Sequence, residues 1–374
     1  MKIVHVLPSL ARGGGERLAI ELANRQVESG HEVTLVIGSL LPSDMVHDGL
    51  DPRVSTHFIT SDRGRMRYRA MLPWLWRRRD WLGSQDVLHC HLTYGALFGA
   101  AFRKISRSRR PAIVETYHAV GMPIPKWLKR LHARLARDWD GIALMVDDPD
   151  WRNFASSNPG IEFRVIPAGV DAPEVPANAR LNAYRRSLGI SDGTKVVTTI
   201  GRLVAERRPR SYVPVFAEVA ETIGSDVAFL MGGDGPERSM IEADAKAAGI
   251  SERLHMAGII TDMAEPLAIS DLYITANVGP VPGVAGLQAI AVGVPVIAIQ
   301  LSDVYPSPAN DWIWSSKDPQ EIADKAVALL RSPSEAKALA QRQSEHLQAH
   351  HSAAAMAAAY DDFYRDAAAR LRSA

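Results

Sequence analysis

The stretch PVPGVAGLQAIAVGVPVIAI, residues 280–299, holds three kinds of local instruction in one line. Pro280, Pro282 and Gly283 make a turn, Gly283 to Val292 can wind into a helix that Gly293 ends, and Val294 to Ile299 is a short β-branched run suited to a buried strand. The helix is apolar except for one amide, Gln288, near its start. A glycine-rich turn feeding a helix N-terminus suits a phosphate or sugar, because it offers unpaired backbone N–H groups and the positive end of the helix dipole. An ordinary tight loop has the same composition, so the neighbouring sequence decides.

Outward from this stretch the same alternation recurs along the chain. KIVHVL (2–7), EVTLVI (32–37), DVLHC (86–90), PAIVETYH (111–118) and GIALMV (141–146) are short apolar runs separated by segments long enough for helices. Residues 167–193, rich in Pro, Gly, Asp and Asn, interrupt the pattern as a linker would. It restarts with KVVTTIG (195–201), DVAFLM (226–231), DLYITA (271–276) and VPVIAI (294–299). Strand–helix alternation of this kind builds parallel sheets covered on both faces. The expected fold is α/β, with two doubly wound, Rossmann-like domains facing each other across a cleft. Residues 1–172 would form the first domain and 173–350 the second, and 351–374 an Ala-rich helix returning to the first, with Met356, Tyr360 and Phe363 on one stripe.

A chain of 374 residues, 47% hydrophobic and 23% charged, has material for two cores. Cys90 is the only cysteine, which rules out an intrachain disulfide and suits a reducing cytoplasm. No window reaches the ~20 apolar residues of a membrane span, and the first apolar run is too short for a secretory signal. The net charge of +1 conceals an asymmetry. Residues 1–180 carry 25 Lys and Arg against 19 Asp and Glu, and residues 181–374 carry 18 against 23. A basic first half suits an anionic lipid surface or an anionic small molecule.

Ligands of doubly wound sheets bind where strands end and helices begin. In LARGGGERLAIELANRQVESG, Gly13, Gly14 and Gly15 open such a loop, although a structural turn reads the same way. In TIGRLVAERRPRS, four arginines follow the strand. Arg202 at the strand end suits a phosphate because guanidinium matches phosphate oxygens bidentately, whereas Arg208 and Arg210 suit a solvated loop. FLMGGDGPERSM is a third glycine-rich strand-to-helix turn.

HVLPSLARGGGERLAIELANRQVESGHEVTLV, DVLHCH, VETYHAVG, VIPAGVD, IGRLVAER, GGDGPER, HMAGIITDMAEPLAISDLYI and GLQAIAVGVPVIA stand in the order and spacing of glycosyltransferase family 4. The chain resembles that family over nearly its whole length. The resemblance implies the two-Rossmann B fold and a retaining transfer from a nucleotide-sugar donor. It places a donor-phosphate contact at Arg202, with Arg207 where the family has lysine, and sets Gly14 and Gly15 close to the donor phosphates or the acceptor. It sets the backbone at Gly233 and Ile260 around the nucleobase, and His118 against the donor sugar. His89 and His91 are left as structural residues.

Family members commonly carry two glutamates, separated by seven residues, in the stretch quoted first. Here Pro280 and Gln288 occupy those places. Gln288 can still hydrogen-bond ribose hydroxyls, and the N–H groups at Gly283 and Val284 remain for an anion, but Pro280 offers no side-chain contact. Arg202, Arg207 and a helix N-terminus supply fixed positive charge, so neither a metal nor another cofactor is expected. The acidic pairs at 147–148 and 361–362 read as solvated faces. The segments 64–82 and 125–139 interleave Trp, Leu and basic residues at near-helical spacing. They suit either an anionic membrane surface or a helix that packs Trp74 and Trp76 inward. No nucleic-acid recognition motif accompanies the charge. The implied function is transfer of a sugar to a glycan or lipid-linked acceptor, as in bacterial surface polysaccharide synthesis. A non-catalytic sugar-nucleotide-binding or scaffold relative, and an epimerase of the same fold, are the alternatives.

Overall fold

Residues 1–10, 14–39, 49–61, 66–106, 110–118, 126–277, 281–301 and 312–373 are described by the computed structural model. They form two compact units, one from the chain up to Gly169 together with the segment from Ser352 onward, the other from Val170 to His351. In the first, β1 (Lys2–Leu7), β2 (Glu32–Ser39), β3 (Ser55–Thr60), β4 (Val87–His91), β5 (Ala112–Tyr117), β6 (Gly141–Leu144) and β7 (Glu162–Val165) make one parallel sheet in the order β3-β2-β1-β4-β5-β6-β7. The order reverses between β1 and β4, which pair with His5 beside His89. β1, β4, β5 and β6 have no exposed residue except Lys2, as strands covered on both faces require. The helix Ala353–Ser373 closes one face with Met356, Tyr360, Phe363, Tyr364 and Ala367 buried.

The second unit repeats the plan. β8 (Lys195–Ile200), β9 (Val227–Gly232), β10 (Leu254–Gly258), β11 (Leu272–Asn277), β12 (Val296–Gln300) and β13 (Trp314–Ser316) form a parallel sheet in the order β10-β9-β8-β11-β12-β13, reversing between β8 and β11. Its core includes Phe216 stacked on Phe229 with centroids 4.4 Å apart. The helix Val284–Ala291 lies between β11 and β12, and Gly293, at φ +86°, turns the chain toward β12.

Two sequence expectations need correction. The interrupted segment 167–193 is not all linker. Its Asn178–Ser187 part is a helix, where Arg180 bonds both Asp262 and Glu265 and Leu181, Tyr184 and Leu188 pack beside Ile190 and Val196. Asp361 is not simply solvated, since it is half-buried and its Oδ2 lies 2.9 Å from His31 Nε2. Its neighbour Asp362 is exposed and pairs with Arg365, as Asp147 does with Arg152.

Candidate active site

The candidate residues follow the ends of strands, and Gly14, Gly15, Arg202 and Gln288 follow β1, β8 and β11, which flank the points where the sheets reverse order and strand ends leave room for a ligand. In the second unit, β8 delivers Gly201 and Arg202, and a short 3-10 turn, Ala205–Arg207, delivers Arg207. Arg208 follows in the left-handed conformation, φ 46° and ψ 51°, redirecting the chain after the turn. Arg210 is bound bidentately by Asp244 and Arg208 reaches the carbonyl of Leu301, which agrees with their structural reading. Arg202 and Arg207 are exposed and have no ion-pair partner among the described residues. Partial burial and the charge of Arg202 depress the pKa of Arg207. Two like charges held together without a carboxylate amount to a standing preference for an anion.

The glycine turn after β9 has a packing reason. Gly233 has φ +128°, and a Cβ there would stand 1.9 Å from the carbonyl oxygen of Gly201; one at Gly235 would stand 2.3 Å from that of Leu203. These glycines let the β9 loop lie directly on the Gly201–Leu203 backbone, joined by Leu203 N to Asp234 O at 3.0 Å. The Gly233 N–H is taken by Gly258 O. Ile260 is half-buried, its side chain covering Gly232.

Gly283 is the N-cap of the helix Val284–Ala291 and no side chain caps it. Its first N–H groups therefore remain for a ligand. Gln288, one turn in, is 7% exposed and its amide has no hydrogen-bond partner among the described residues. Pro280, and residues 302–311 of the loop after β12, lie outside the described residues.

In the first unit, the helix Gly14–Glu28 starts at the glycine turn, and Gly15 faces His118 at the end of β5. A Cβ on Gly15 would stand 3.3 Å from His118 Nδ1. His118 is half-buried, yet its Nδ1 is out of contact with solvent and has no partner among the described residues, and burial lowers its pKa to about 4. The imidazole is therefore neutral near pH 7. Behind it, three histidines read from sequence as structural or not considered prove to be connected to it. His118 Nε2 lies 3.0 Å from His91 Nδ1, His91 Nε2 lies 2.9 Å from His5 Nδ1, and His5 Nε2 lies 2.7 Å from the Gln26 carbonyl oxygen. His89 stands between Tyr364 OH at 2.6 Å and Thr116 Oγ1 at 2.7 Å, and Thr116 continues to Tyr360 OH.

His5, His89 and His91 bring ring nitrogens within 4.8 Å of one another, as a metal site would. However, both nitrogens of His89 are engaged by hydroxyls and both of His5 by Gln26 and His91, so a cation would have to displace a buried hydrogen bond at each of these rings. The donor set fits a hydrogen-bonded network better than a cation cage. Period-two spacing was the available signal: residues 89 and 91 of one strand must share a face. A second buried pair, Glu115 and His132 with 3.2 Å between Oε1 and Nδ1, lies on the neighbouring part of the unit. Burial raises the pKa of that carboxyl.

The family model "Glycosyltransferase Family 4" matches residues 12–173, and the model "Glycosyl transferases group 1" matches residues 182–346. The alpha-monoglucosyldiacylglycerol synthase of Streptococcus pneumoniae is 27% identical over 57% of this chain, which spans about half (51%) of that relative. The N-acetyl-alpha-D-glucosaminyl L-malate synthase of Bacillus anthracis is 22% identical over 95% of this chain and 94% of its own. In fold the chain is similar to Anabaena HepE solved in complex with UDP and glucose, with a TM-score of 0.76, 16% identity, and coverage of 97% of this chain and 98% of that one.

Proposed function

The chain belongs to glycosyltransferase family 4, and from that premise we propose that it is a retaining enzyme moving a sugar from a nucleotide-sugar donor to a glycan or lipid-linked acceptor, in bacterial surface polysaccharide synthesis. One observation carries this most: Arg202 and Arg207, close enough for the charge of one to act on the other, have no ion-pair partner among the described residues and follow β8, at the strand-order reversal of the second sheet. Departure of a nucleoside diphosphate concentrates negative charge on the leaving phosphate. Cations held in place before the reaction stabilise that charge with little reorganisation. In this account Arg202, Arg207 and the N–H groups at Gly283 and Val284 hold the diphosphate and Gln288 holds the ribose. The backbone at Gly233 and Ile260 borders the base, while His118 with the Gly14–Gly15 turn meets the sugar. Metal-free transfer is part of the proposal, since the arginines supply the charge a divalent ion would otherwise bring. No other cofactor enters it.

The acceptor side of the proposal rests on the helix Met66–Gly83. Leu75 and Leu82 are buried, Met71 is 7% exposed, and Trp74 packs on Phe98 and Trp81. Tyr68, Leu72 and Trp76, each four residues apart, are 38%, 55% and 59% exposed, with Arg79 lying 4.5 Å over the Trp76 ring. Trp127 on the helix Lys126–Leu135 is 65% exposed. The sequence alternatives thus divide between residues: Trp74 packs inward and Trp76 does not. Exposed aromatics beside arginines suit the interface of an anionic membrane, and no helix among the described residues is long and apolar enough to cross one. The proposed location is the cytoplasm, peripheral to the inner face of its membrane.

Incubating the protein with UDP-, GDP-, ADP- and dTDP-sugars, with bacterial lipid extract as acceptor and a chelator present, tests the proposal. The expected result is acceptor-dependent release of one nucleoside diphosphate, with the anomeric coupling constant of the product matching that of the donor. A product of inverted configuration, or release that requires a divalent ion, would refute the mechanism. Binding of a sugar nucleotide without any transfer would favour the scaffold alternative.

A further inference from the structure

We propose that Gln26 sets the tautomer of His118 through His5 and His91, so that the catalytic imidazole meets the sugar as a hydrogen-bond acceptor at Nδ1. The inference rests on reading His118 as the residue that touches the transferred sugar, but the proton order itself follows from the chain's own geometry.

Gln26, His5, His89 and His91 are fully or almost fully buried, and Gln26, His5, His91 and His118 follow one another at hydrogen-bond distance. Burial lowers the pKa of His5 to about 4 and holds His89 and His91 well below the usual histidine value, so every ring carries a single proton near neutrality. One proton per ring and one hydrogen bond at each nitrogen allow only two proton orders along the line, and the end group chooses between them. That end is the carbonyl oxygen of Gln26, which can only accept. Its amide nitrogen is turned the other way, donating to Tyr364 OH at 3.2 Å, while the tyrosine proton goes to His89 Nδ1.

The order then propagates. His5 must donate from Nε2 and accept at Nδ1. His91 must donate from Nε2 to His5 and accept at Nδ1. His118 must donate from Nε2 to His91, which leaves Nδ1 without a proton. That nitrogen is the one atom of the line without a partner among the described residues, shut off from solvent and facing Gly15, which has no side chain. A bare imidazole nitrogen there can only accept a hydrogen bond, so a sugar group that meets it must be a donor such as a hydroxyl. Gln26, His5 and His91 touch no substrate and act as positioning residues.

Two-bond proton–nitrogen NMR of the protein labelled with nitrogen-15 histidine reads the tautomer directly, with His118 assigned by its disappearance in His118→Gln. The expected spectrum has an unprotonated, pyridine-type Nδ1 and a protonated Nε2 for His118. A protonated Nδ1 in the unaltered protein overturns the proposal. Gln26→Glu, which keeps an acceptor, should retain the tautomer. Gln26→Leu should shift His118 toward the Nδ1-protonated form and lower kcat about 10-fold, with donor KM changed less than about 2-fold. A Gln26→Leu enzyme with native kcat would also overturn it. Full transfer by His118→Ala would instead remove the sugar-contact reading while the wild-type spectrum still decided the proton order.

Discussion

At the scale of single residues, the phosphate contact depends on Arg202 and Arg207, which hold no other bonds among the described residues. Arg202→Ala should therefore cost binding and not folding. A charge-assisted hydrogen bond is worth roughly 1.5–3 kcal/mol, so nucleoside diphosphate affinity should fall about 10- to 150-fold with Tm unchanged. Calorimetry and a melting scan on the same sample check both halves. Gln288 is a finer probe. Loss of a neutral hydrogen bond in Gln288→Ala should cost about 0.5–1.5 kcal/mol, while Gln288→Glu should bind as well or better. A flat series would mean that this amide does not touch the nucleotide.

Elements explain which features the sequence discloses. All the strands anticipated from apolar runs are interior to their sheets. The four strands not anticipated, β3, β7, β10 and β13, are the four sheet edges. Edge strands are covered less completely, so STHFIT, EFRV, LHMAG and WSS carry polar residues and no continuous apolar signal. In the same way Arg202 was legible because it follows a strong strand, whereas Gln26 was not, because one amide in a helix reads as surface until Tyr364, 338 residues away, is brought to it. The glycine turn after β9 gives a packing test at this scale. Gly233→Ala drives a methyl into the Gly201 carbonyl and should cost roughly 3 kcal/mol or more. Gly249→Ala, at φ +71° with open space around it, should cost only about 1 kcal/mol. Equal losses in urea unfolding would contradict the close approach. For the helix Met66–Gly83, replacing Arg77, Arg78 and Arg79 with Gln should abolish salt-sensitive sedimentation with anionic vesicles, each basic residue contributing about 1 kcal/mol. Unchanged sedimentation would leave the exposed tryptophan without a membrane role.

For the whole molecule, the buried histidines make stability depend on pH. His5 and His118 have pKa values lowered to about 4, and those of His89 and His91 lie well below the ordinary 6.5. The unfolded chain takes up protons below about pH 6.5 that the native state refuses, at His5 and His118 until near pH 4. The stabilisation is complete above pH 6.5 and is lost as pH falls from there toward 4, on the order of 3 kcal/mol for His5 alone. Glu115, whose pKa is raised by burial, opposes this, as one group against four. Tm should fall steadily from pH 7 to pH 4.5 at constant ionic strength, and a flat or rising profile would contradict neutral burial of the histidine line.

The most direct measurement is isothermal titration of the protein with UDP, GDP, ADP and dTDP in the presence of a chelator, repeated with Arg202→Ala and Arg207→Ala. The account predicts micromolar binding of one nucleoside diphosphate without metal, weakened at least about 10-fold by either substitution. Absence of binding by all four, or binding indifferent to both arginines, would contradict it.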